Sequence, residues 1–164
     1  MPGIGDLLAV IGPGLFQHAY VVTDLAEAKE GFRTALGCDG WFELPATDLE
    51  FDVRGVPTVC ALGIAFARSG DVQVELIEPV RGDGLHAEFL ATRGPGVHHL
   101  GFLVDDLDAA LAFAEVCGAP RVMAGAFGSL RFAYVDTAST LGVYAELVAD
   151  PDGVMASMMP WRDS

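Results

Sequence analysis

The stretch that decides the fold is Gly96-Val97-His98-His99-Leu100-Gly101-Phe102-Leu103-Val104, an apolar run that contains two of the four histidines of the chain. A run of the same kind, Phe16-Gln17-His18-Ala19-Tyr20-Val21-Val22, lies 81 residues earlier when His18 is aligned with His99. Each run continues into an acidic helix start, Thr23-Asp24-Leu25 in the first case and Asp105-Asp106-Leu107 in the second. Such a recurrence predicts two copies of one structural unit.

Each copy is predicted to form a β-α-β-β-β module. The apolar run forms the first strand, and an amphipathic helix follows it, begun by an aspartate cap and ended by a glycine. Three more strands complete each module. The expected elements are strands 15–22, 49–54, 58–68 and 72–78 with helix 24–36, then strands 97–104, 121–123, 131–136 and 142–149 with helix 106–117. The sequence therefore predicts an α+β fold with modules at 15–80 and 96–149.

The segments outside the modules are predicted from their glycine, proline and charge content. Residues 1–14 hold four Gly and two Pro and are expected to be a loosely ordered lead-in. Residues 81–95 are expected to link the modules and to contain a short helix at 85–92. The tail, 150–164, carries Met155, Met158, Met159 and Trp161 at roughly helical spacing. This pattern predicts a segment that packs on its own domain or on a partner subunit, with a lid over the ligand cavity as the alternative.

The composition excludes several classes of function. The chain has a formal charge of −14 and nine scattered basic residues, so no nucleic-acid partner is expected. No apolar run reaches the roughly 18 residues of a membrane span, and the first residues lack a basic signal segment. We therefore expect a cytoplasmic protein with no membrane partner.

Cys38, Cys60 and Cys117 are widely spaced, which predicts small buried thiols rather than a disulfide framework or a zinc knuckle.

Four polar residues interrupt strands that are otherwise apolar. Glu75 and Glu146 each precede Leu in the last strand of a module, and His18 and His99 lie equally deep in the first strands. An unpaired ionised carboxylate buried there would cost several kcal/mol, so a compensating partner is required. Two imidazoles and two carboxylates from matched positions predict a site for one divalent ion. This mixed donor set leaves Zn, Ni, Co, Mn and Fe as options.

Each of these residues also has an ordinary structural interpretation. A single buried histidine is usually a hydrogen-bonded core residue, and a mid-strand glutamate often faces solvent. The recurrence of the set in both copies favours the metal site. Alternation sends His98 to the face opposite His99, where a core or interface residue is expected, and His86 in the linker is expected at the surface.

Several motifs together resemble the vicinal oxygen chelate superfamily, the group of glyoxalase I, methylmalonyl-CoA epimerase, extradiol dioxygenases and bleomycin-resistance proteins. They are His-x-x-x-Val before an Asp-Leu helix start, Val-Glu-Leu-Ile-Glu-Pro at 74–79, Gly-Val-His-His-Leu-Gly-Phe-Leu-Val-Asp-Asp-Leu at 96–107, and Ala-Glu-Leu-Val at 145–148. The resemblance covers about residues 15–149, and it is closest to the epimerase-like and glyoxalase-like branch. It implies paired βαβββ modules whose strands form a curled mixed sheet around a metal-binding cavity.

The resemblance also implies a chemistry. By position, His18, Glu75, His99 and Glu146 take the metal-ligand roles, and the metal acts as a Lewis acid on a substrate chelated through neighbouring oxygens. Four protein ligands speak against the iron dioxygenases of the family, which resemble a facial triad with one carboxylate. We therefore expect an isomerase, epimerase or lyase in which a metal-bound carboxylate, Glu146 first and then Glu75, moves a proton beside a carbonyl.

The sequence motifs say less about the second catalytic base and the substrate than about the metal ligands. Glu50 or Glu43, on the early strand of module 1, is expected to supply a second base, although exposed strand-edge carboxylates are the simpler interpretation of both. A small carbonyl compound is the expected substrate, and a thioester is one option that Arg54, Arg68 and Arg131 could help to bind. The alternatives are a metal-free drug-resistance type binding protein and an iron-dependent dioxygenase. The resemblance implies a homodimer.

Overall fold

The structure is a computed structural model, and it describes residues 1–157. In chain order the elements are α1 (Ile4–Ile11), a 3-10 turn (Gly12–Gly14), β1 (Leu15–Val21), α2 (Leu25–Leu36), β2 (Phe42–Val53), β3 (Val56–Ser69), β4 (Val72–Arg81), α3 (Leu85–Arg93), β5 (Gly96–Leu103), α4 (Leu107–Val116), β6 (Arg121–Phe127), β7 (Leu130–Val135), α5 (Ala138–Leu141), β8 (Tyr144–Ala149) and α6 (Val154–Ser157). The order β-α-β-β-β occurs twice, with the four-residue α5 inserted before the last strand. The predicted α+β class with two βαβββ modules is confirmed.

The chain divides into two compact units. Among the described residues, the first unit comprises Gln17–Phe51 and Pro57–His98, and the second comprises Met1–Phe16, Asp52–Val56 and His99–Ser157. The strand order is β1-β4-β3-β2 in the first unit and β6-β7-β8-β5 in the second. In each unit the first strand of the module pairs in parallel with its last strand, β1 with β4 and β5 with β8, and the other pairs with a determined register are antiparallel. Each unit therefore contains a mixed sheet.

The core of the first unit lies between its sheet and helix α2. Asp24 begins this helix by accepting a hydrogen bond from the backbone N–H of Glu27 at 2.8 Å, and Gly37 ends it in the left-handed conformation at φ 67°. Buried side chains of β3 and β4, together with residues just after β1 and α2, meet the apolar stripe of the helix. They are Val22, Cys38, Ala67, Val74 and Leu76, with Tyr20, Leu25, Ala28, Phe32 and Trp41 packed against them.

The core of the second unit has two helices over its sheet, because α1 packs beside α4. Leu7 and Ile11 of α1 are buried with Phe102, Leu107 and Leu147. The expectation of a loosely ordered lead-in is therefore wrong. Residues 1–14 contain four glycines and two prolines, but Leu7 and Ile11 lie one helical turn apart and form an apolar stripe. Burying such side chains stabilises a fold by about 1.5–3 kcal/mol each, enough to outweigh the weak helix propensity of Gly5.

Strand lengths differ from the expectation, whereas the linker helix agrees with it. Strand β2 begins at Phe42 and includes Pro45, whereas the predicted strand began at residue 49. Most of β2 is exposed, Pro45 included, and proline is tolerated in a strand where its missing N–H is not needed as a donor. Strand β6 also continues to Phe127 and meets β7 through a turn at Gly128.

Met158, Met159 and Trp161 of the tail lie outside the described residues. Between residues 1 and 157, no helix is long and apolar enough to cross a membrane.

Candidate metal centre

A histidine and a glutamate meet in the interior of the second unit. His99 of β5 is fully buried, and Glu146 of the neighbouring strand β8 is 7% exposed. The parallel register places Gly101 opposite Glu146 and His99 opposite Tyr144, so the two side chains lean toward each other along the strands. His99 Nε2 lies 3.2 Å from Glu146 Oε2. The structure thus brings two of the four predicted ligands together within this unit, and their role as metal ligands stays a prediction.

Strand alternation explains why these polar side chains share one face. Leu100 and Phe102 of β5 and Ala145 and Leu147 of β8 pack into the core under α4. His99 and Glu146 alternate with these residues, so they point away from the helices. The same face carries aromatic side chains of β7. The ring of Tyr134 lies 4.6 Å from the His99 ring between centroids, and Phe132 lies 5.9 Å from Tyr134.

The geometry of the pair fits a shared divalent ion. Two atoms that each lie about 2.1 Å from one ion are about 3.0 Å apart at a right angle and about 3.4 Å apart at the tetrahedral angle. The observed 3.2 Å lies between these values. Glu146 Oε2 is buried and accepts no hydrogen bond from any of residues 1–157. A buried carboxylate oxygen without a hydrogen bond is costly, and a bound cation would compensate it.

The first unit places a glutamine and a glutamate at the equivalent positions. In the second unit Glu146 lies opposite Gly101, and His99 is two residues before Gly101. In the first unit Glu75 lies opposite Ala19, and Gln17 is two residues before Ala19. Gln17 is 1% exposed and Glu75 is 7% exposed. By backbone register, therefore, the counterpart of His99 is Gln17.

The sequence alignment that paired His18 with His99 is one residue out of register. His18 alternates with Gln17 and lies on the same face of β1 as Tyr20, whose ring packs on Phe32 of α2 at 4.7 Å. Glu75 lies on the other face, because its neighbours Val74 and Leu76 fill the helix-facing core. The structure therefore does not bring His18 and Glu75 together.

A signal in the sequence could have found the correct register. The helix caps Asp24 and Asp106 are 82 residues apart, and so are the segments Gly12-Pro13-Gly14 and Gly94-Pro95-Gly96. An 82-residue spacing aligns Gln17 with His99. The 81-residue spacing came from matching one histidine with another, which overlooked an amide oxygen as a possible ligand.

The two remaining histidines are both buried in the first unit. His98 has no exposed surface, as expected for a core residue, and its ring lies 4.7 Å from the ring of His86 and 5.0 Å from that of Phe89. His86 is 1% exposed, so the expectation of a surface residue is wrong. The reason is that the linker helix α3 packs against β4, which buries the first turn of α3 together with Leu85.

Glu43 and Glu50 are exposed side chains of β2. Glu43 forms an ion pair with Lys29 of α2, the single lysine of the chain. An exposed carboxylate keeps its hydration, so neither residue has the burial that tunes a catalytic base. Their role as a second base stays a prediction.

Most arginines of the described residues already have carboxylate partners. Arg131 forms two hydrogen bonds with Asp108, at 2.9 and 3.1 Å. These hydrogen bonds, and then the charge of Arg131, hold the pKa of the Asp108 carboxyl below its ordinary value. Arg68 pairs with Asp71 at 3.2 Å. The other such pairs are Arg33 with Glu30, Arg81 with Asp48, and Arg121 with Asp52. These partners reduce the positive charge that an anionic substrate would need.

Comparisons with known proteins agree with this fold. Residues 16–134 match the family model of the Glyoxalase/Bleomycin resistance protein/Dioxygenase superfamily. The chain is 33% identical over 95 residues to the uncharacterized protein YqjC of Bacillus subtilis strain 168, which covers 56% of this chain and 67% of YqjC. Methylmalonyl-CoA epimerase from Mycobacterium tuberculosis is 26% identical with a TM-score of 0.61, over 87% of this chain and 91% of that one.

A second epimerase shares the fold at lower identity. Streptomyces coelicolor methylmalonyl-CoA epimerase, in complex with 2-nitronate-propionyl-CoA, is 23% identical with a TM-score of 0.56, over 84% of this chain and 96% of that one. The family model spans well over half of the sequence, and the motifs that resemble the vicinal oxygen chelate group lie mostly within it. The chain therefore belongs to the Glyoxalase/Bleomycin resistance protein/Dioxygenase superfamily.

Proposed function

We propose that this protein is a metal-dependent isomerase or epimerase that transfers a proton at the carbon beside a carbonyl group. The observation that carries the proposal is the buried pair His99 and Glu146, with Nε2 and Oε2 3.2 Å apart. A buried imidazole and carboxylate at this separation have the chemistry of two ligands to one divalent ion. The similarity to methylmalonyl-CoA epimerases supports the reaction class.

The proposed ligands are Gln17, Glu75, His99 and Glu146. Gln17 takes the place first given to His18, because the register of β1 and β4 matches that of β5 and β8 only with Gln17. Both glutamates are almost fully buried, and Gln17 and His99 even more so. A divalent ion held by these residues would act as a Lewis acid toward the substrate carbonyl.

The protein residues would then handle the proton. Glu146 is the first candidate for the base, because its Oε2 accepts no hydrogen bond from the described residues and could therefore accept a proton. Glu75 is the second candidate, at the matching position of the first unit. Glu50 is kept as the proposed second base of a two-base epimerase, and it would need cover from the substrate to lose its hydration.

The substrate is proposed to be a small carbonyl compound with an apolar part. Tyr134 and Phe132, which are 3% and 5% exposed, lie on the face that carries His99 and Glu146 and offer an apolar contact. The ion pairs of Arg68 and Arg131 weaken the case for a CoA thioester, whose phosphates need free cations. The thioester reading retains the support of the epimerases named above.

The test begins with elemental analysis of protein purified without chelator or affinity metal. About one equivalent of Zn, Ni, Co or Mn per chain would support proton transfer. Iron together with consumption of dioxygen would favour the dioxygenase reading. Absence of metal, even after reconstitution with each of the five ions, would overturn the proposal and favour the metal-free binding protein.

The second test measures proton exchange directly. Candidate substrates, an α-hydroxyketone and a 2-methyl-branched acyl thioester, are incubated with the metal-loaded protein in D2O, and the α-proton signal is followed by NMR. We expect catalysed loss of this signal with one probe, and loss of the catalysis in Glu146→Gln. Exchange at the parent rate in the variant would contradict the role of Glu146. The homodimer and the cytoplasmic location stay predictions.

A further inference from the structure

We infer that Gln73 is a positioning residue that turns the side-chain amide of Gln17 so that its oxygen is presented to the metal ion. This inference rests on the proposed function. Gln73 would not itself touch the ion. Its role would be to fix which end of the neighbouring amide faces the site, and therefore whether Gln17 can act as a ligand.

The two glutamines form a buried pair on adjacent strands. The register of β1 and β4 places Gln17 directly opposite Gln73, and each residue is 1% exposed. Gln17 Nε2 donates a hydrogen bond to Gln73 Oε1. Gln73 lies two residues before Glu75 on β4 and so shares its face. The pair therefore lies on the face that carries the proposed ligand Glu75.

The composition makes this pair distinctive. The sequence contains no asparagine and only these two glutamines, so the only side-chain amides of the chain are hydrogen-bonded to each other. Amide side chains are costly to bury without partners, at about 1–3 kcal/mol for each group left unsatisfied. The burial of the only two carboxamides side by side therefore indicates a specific role for them.

The chemistry of a carboxamide explains what that use is. Its oxygen has lone pairs that can bind a cation, whereas its nitrogen carries two protons and is a donor only. Rotation of the Gln17 amide by half a turn would present the nitrogen to a cation and would set two carbonyl oxygens of the pair against each other. Hydrogen bonding to Gln73 Oε1 opposes that rotation. Outer partners of this kind typically change metal affinity by about 10–100-fold.

The experiment compares three proteins prepared free of metal with a chelator: the parent, Gln73→Met and Gln73→Glu. Methionine keeps the length of the side chain but removes the strong acceptor, and glutamate keeps the acceptor. Zn²⁺ and Co²⁺ are titrated in by calorimetry. We expect Gln73→Met to bind about 10–100-fold more weakly and Gln73→Glu to stay within about threefold of the parent. Thermal unfolding without metal reports any loss of stability separately.

A spectroscopic measurement removes the dependence on variants that fold poorly. With two glutamines and no asparagine, the ¹⁵N-labelled parent has two side-chain amide groups in its spectrum. We expect the Gln17 NH₂ protons to exchange slowly with solvent before metal is added and to shift when Zn²⁺ binds. Fast exchange like that of free glutamine, or no shift on binding, would overturn the inference.

The outcomes separate the inference from the proposed function. Equal affinity in the parent and Gln73→Met, with the ion bound, would overturn the inference and leave the proposed function intact. A parent that binds no divalent ion would overturn both. Weaker binding in Gln73→Met, with unchanged unfolding of the metal-free protein and retained binding in Gln73→Glu, would support the positioning role.

Discussion

His99 Nε2 and Glu146 Oε2 lie 3.2 Å apart on adjacent parallel strands, and the backbone positions that match them in the first unit hold Gln17 and Glu75. The two modules thus agree in backbone register but differ in side chain at one position, where an imidazole is replaced by an amide. The carboxylate is kept in both. The repeat therefore keeps the same strand register in both modules, whereas the side chains at one of the matched positions differ.

Removal of either member of the pair should remove the metal. We expect His99→Ala and Glu146→Ala to lower the metal content of the purified protein from about one equivalent to nearly none, because each variant deletes a buried side chain that we propose as a ligand. Elemental analysis per chain measures this, and circular dichroism checks that the fold is kept. Folded variants with a full equivalent of metal would show that the pair is an ordinary buried contact.

A comparison of neighbours on β1 should decide the register. We expect Gln17→Ala to lose tight metal binding and His18→Ala to keep about one equivalent, because His18 lies on the helix-facing side of the strand. The matched variants differ by one position, and calorimetric titration of the metal-free proteins measures both. The reverse result would restore His18 as the ligand.

Much of the fold could be predicted from local signals in the sequence. The aspartate caps, the glycine after α2 and the alternating strands are short-range patterns, and the elements they predict are present. Glu75, His99 and Glu146 could be proposed from the sequence because a carboxylate or an imidazole in an apolar strand is conspicuous. The register position of Gln17 did not follow from the residue types, because an uncharged amide beside a histidine is a weaker signal, although the cap-to-cap spacing indicated it.

The remaining errors concern burial that depends on tertiary packing. The helical character of α1 follows from its contacts with α4, which is distant in sequence, and the burial of His86 follows from the packing of α3 on β4. Local glycine and proline content could not reveal these contacts. In the case of α1, the apolar spacing of Leu7 and Ile11 was present in the sequence but was outweighed by the glycines around it.

The stability of the second unit should depend on α1. Leu7 is fully buried in the core beside α4, whereas Val10 on the same helix is 65% exposed. We expect Leu7→Ala to lower the free energy of unfolding by about 2–5 kcal/mol and Val10→Ala by less than about 0.5 kcal/mol. Urea denaturation followed by circular dichroism measures both variants. Similar small effects would show that α1 contributes little to the core.

The buried thiols should make the fold less stable at alkaline pH. Burial raises the pKa of the Cys38 and Cys60 thiols above their ordinary value, so the unfolded chain loses these protons at a lower pH than the folded one. The contribution is therefore fully present below about pH 8.5 and is lost as the pH rises above it. Urea denaturation of the parent and of Cys38→Ala and Cys60→Ala, from pH 7 to pH 10, measures it. We expect a shallower alkaline decline in each variant. Parallel declines in all three proteins would show that these thiols ionise equally in the folded and unfolded states.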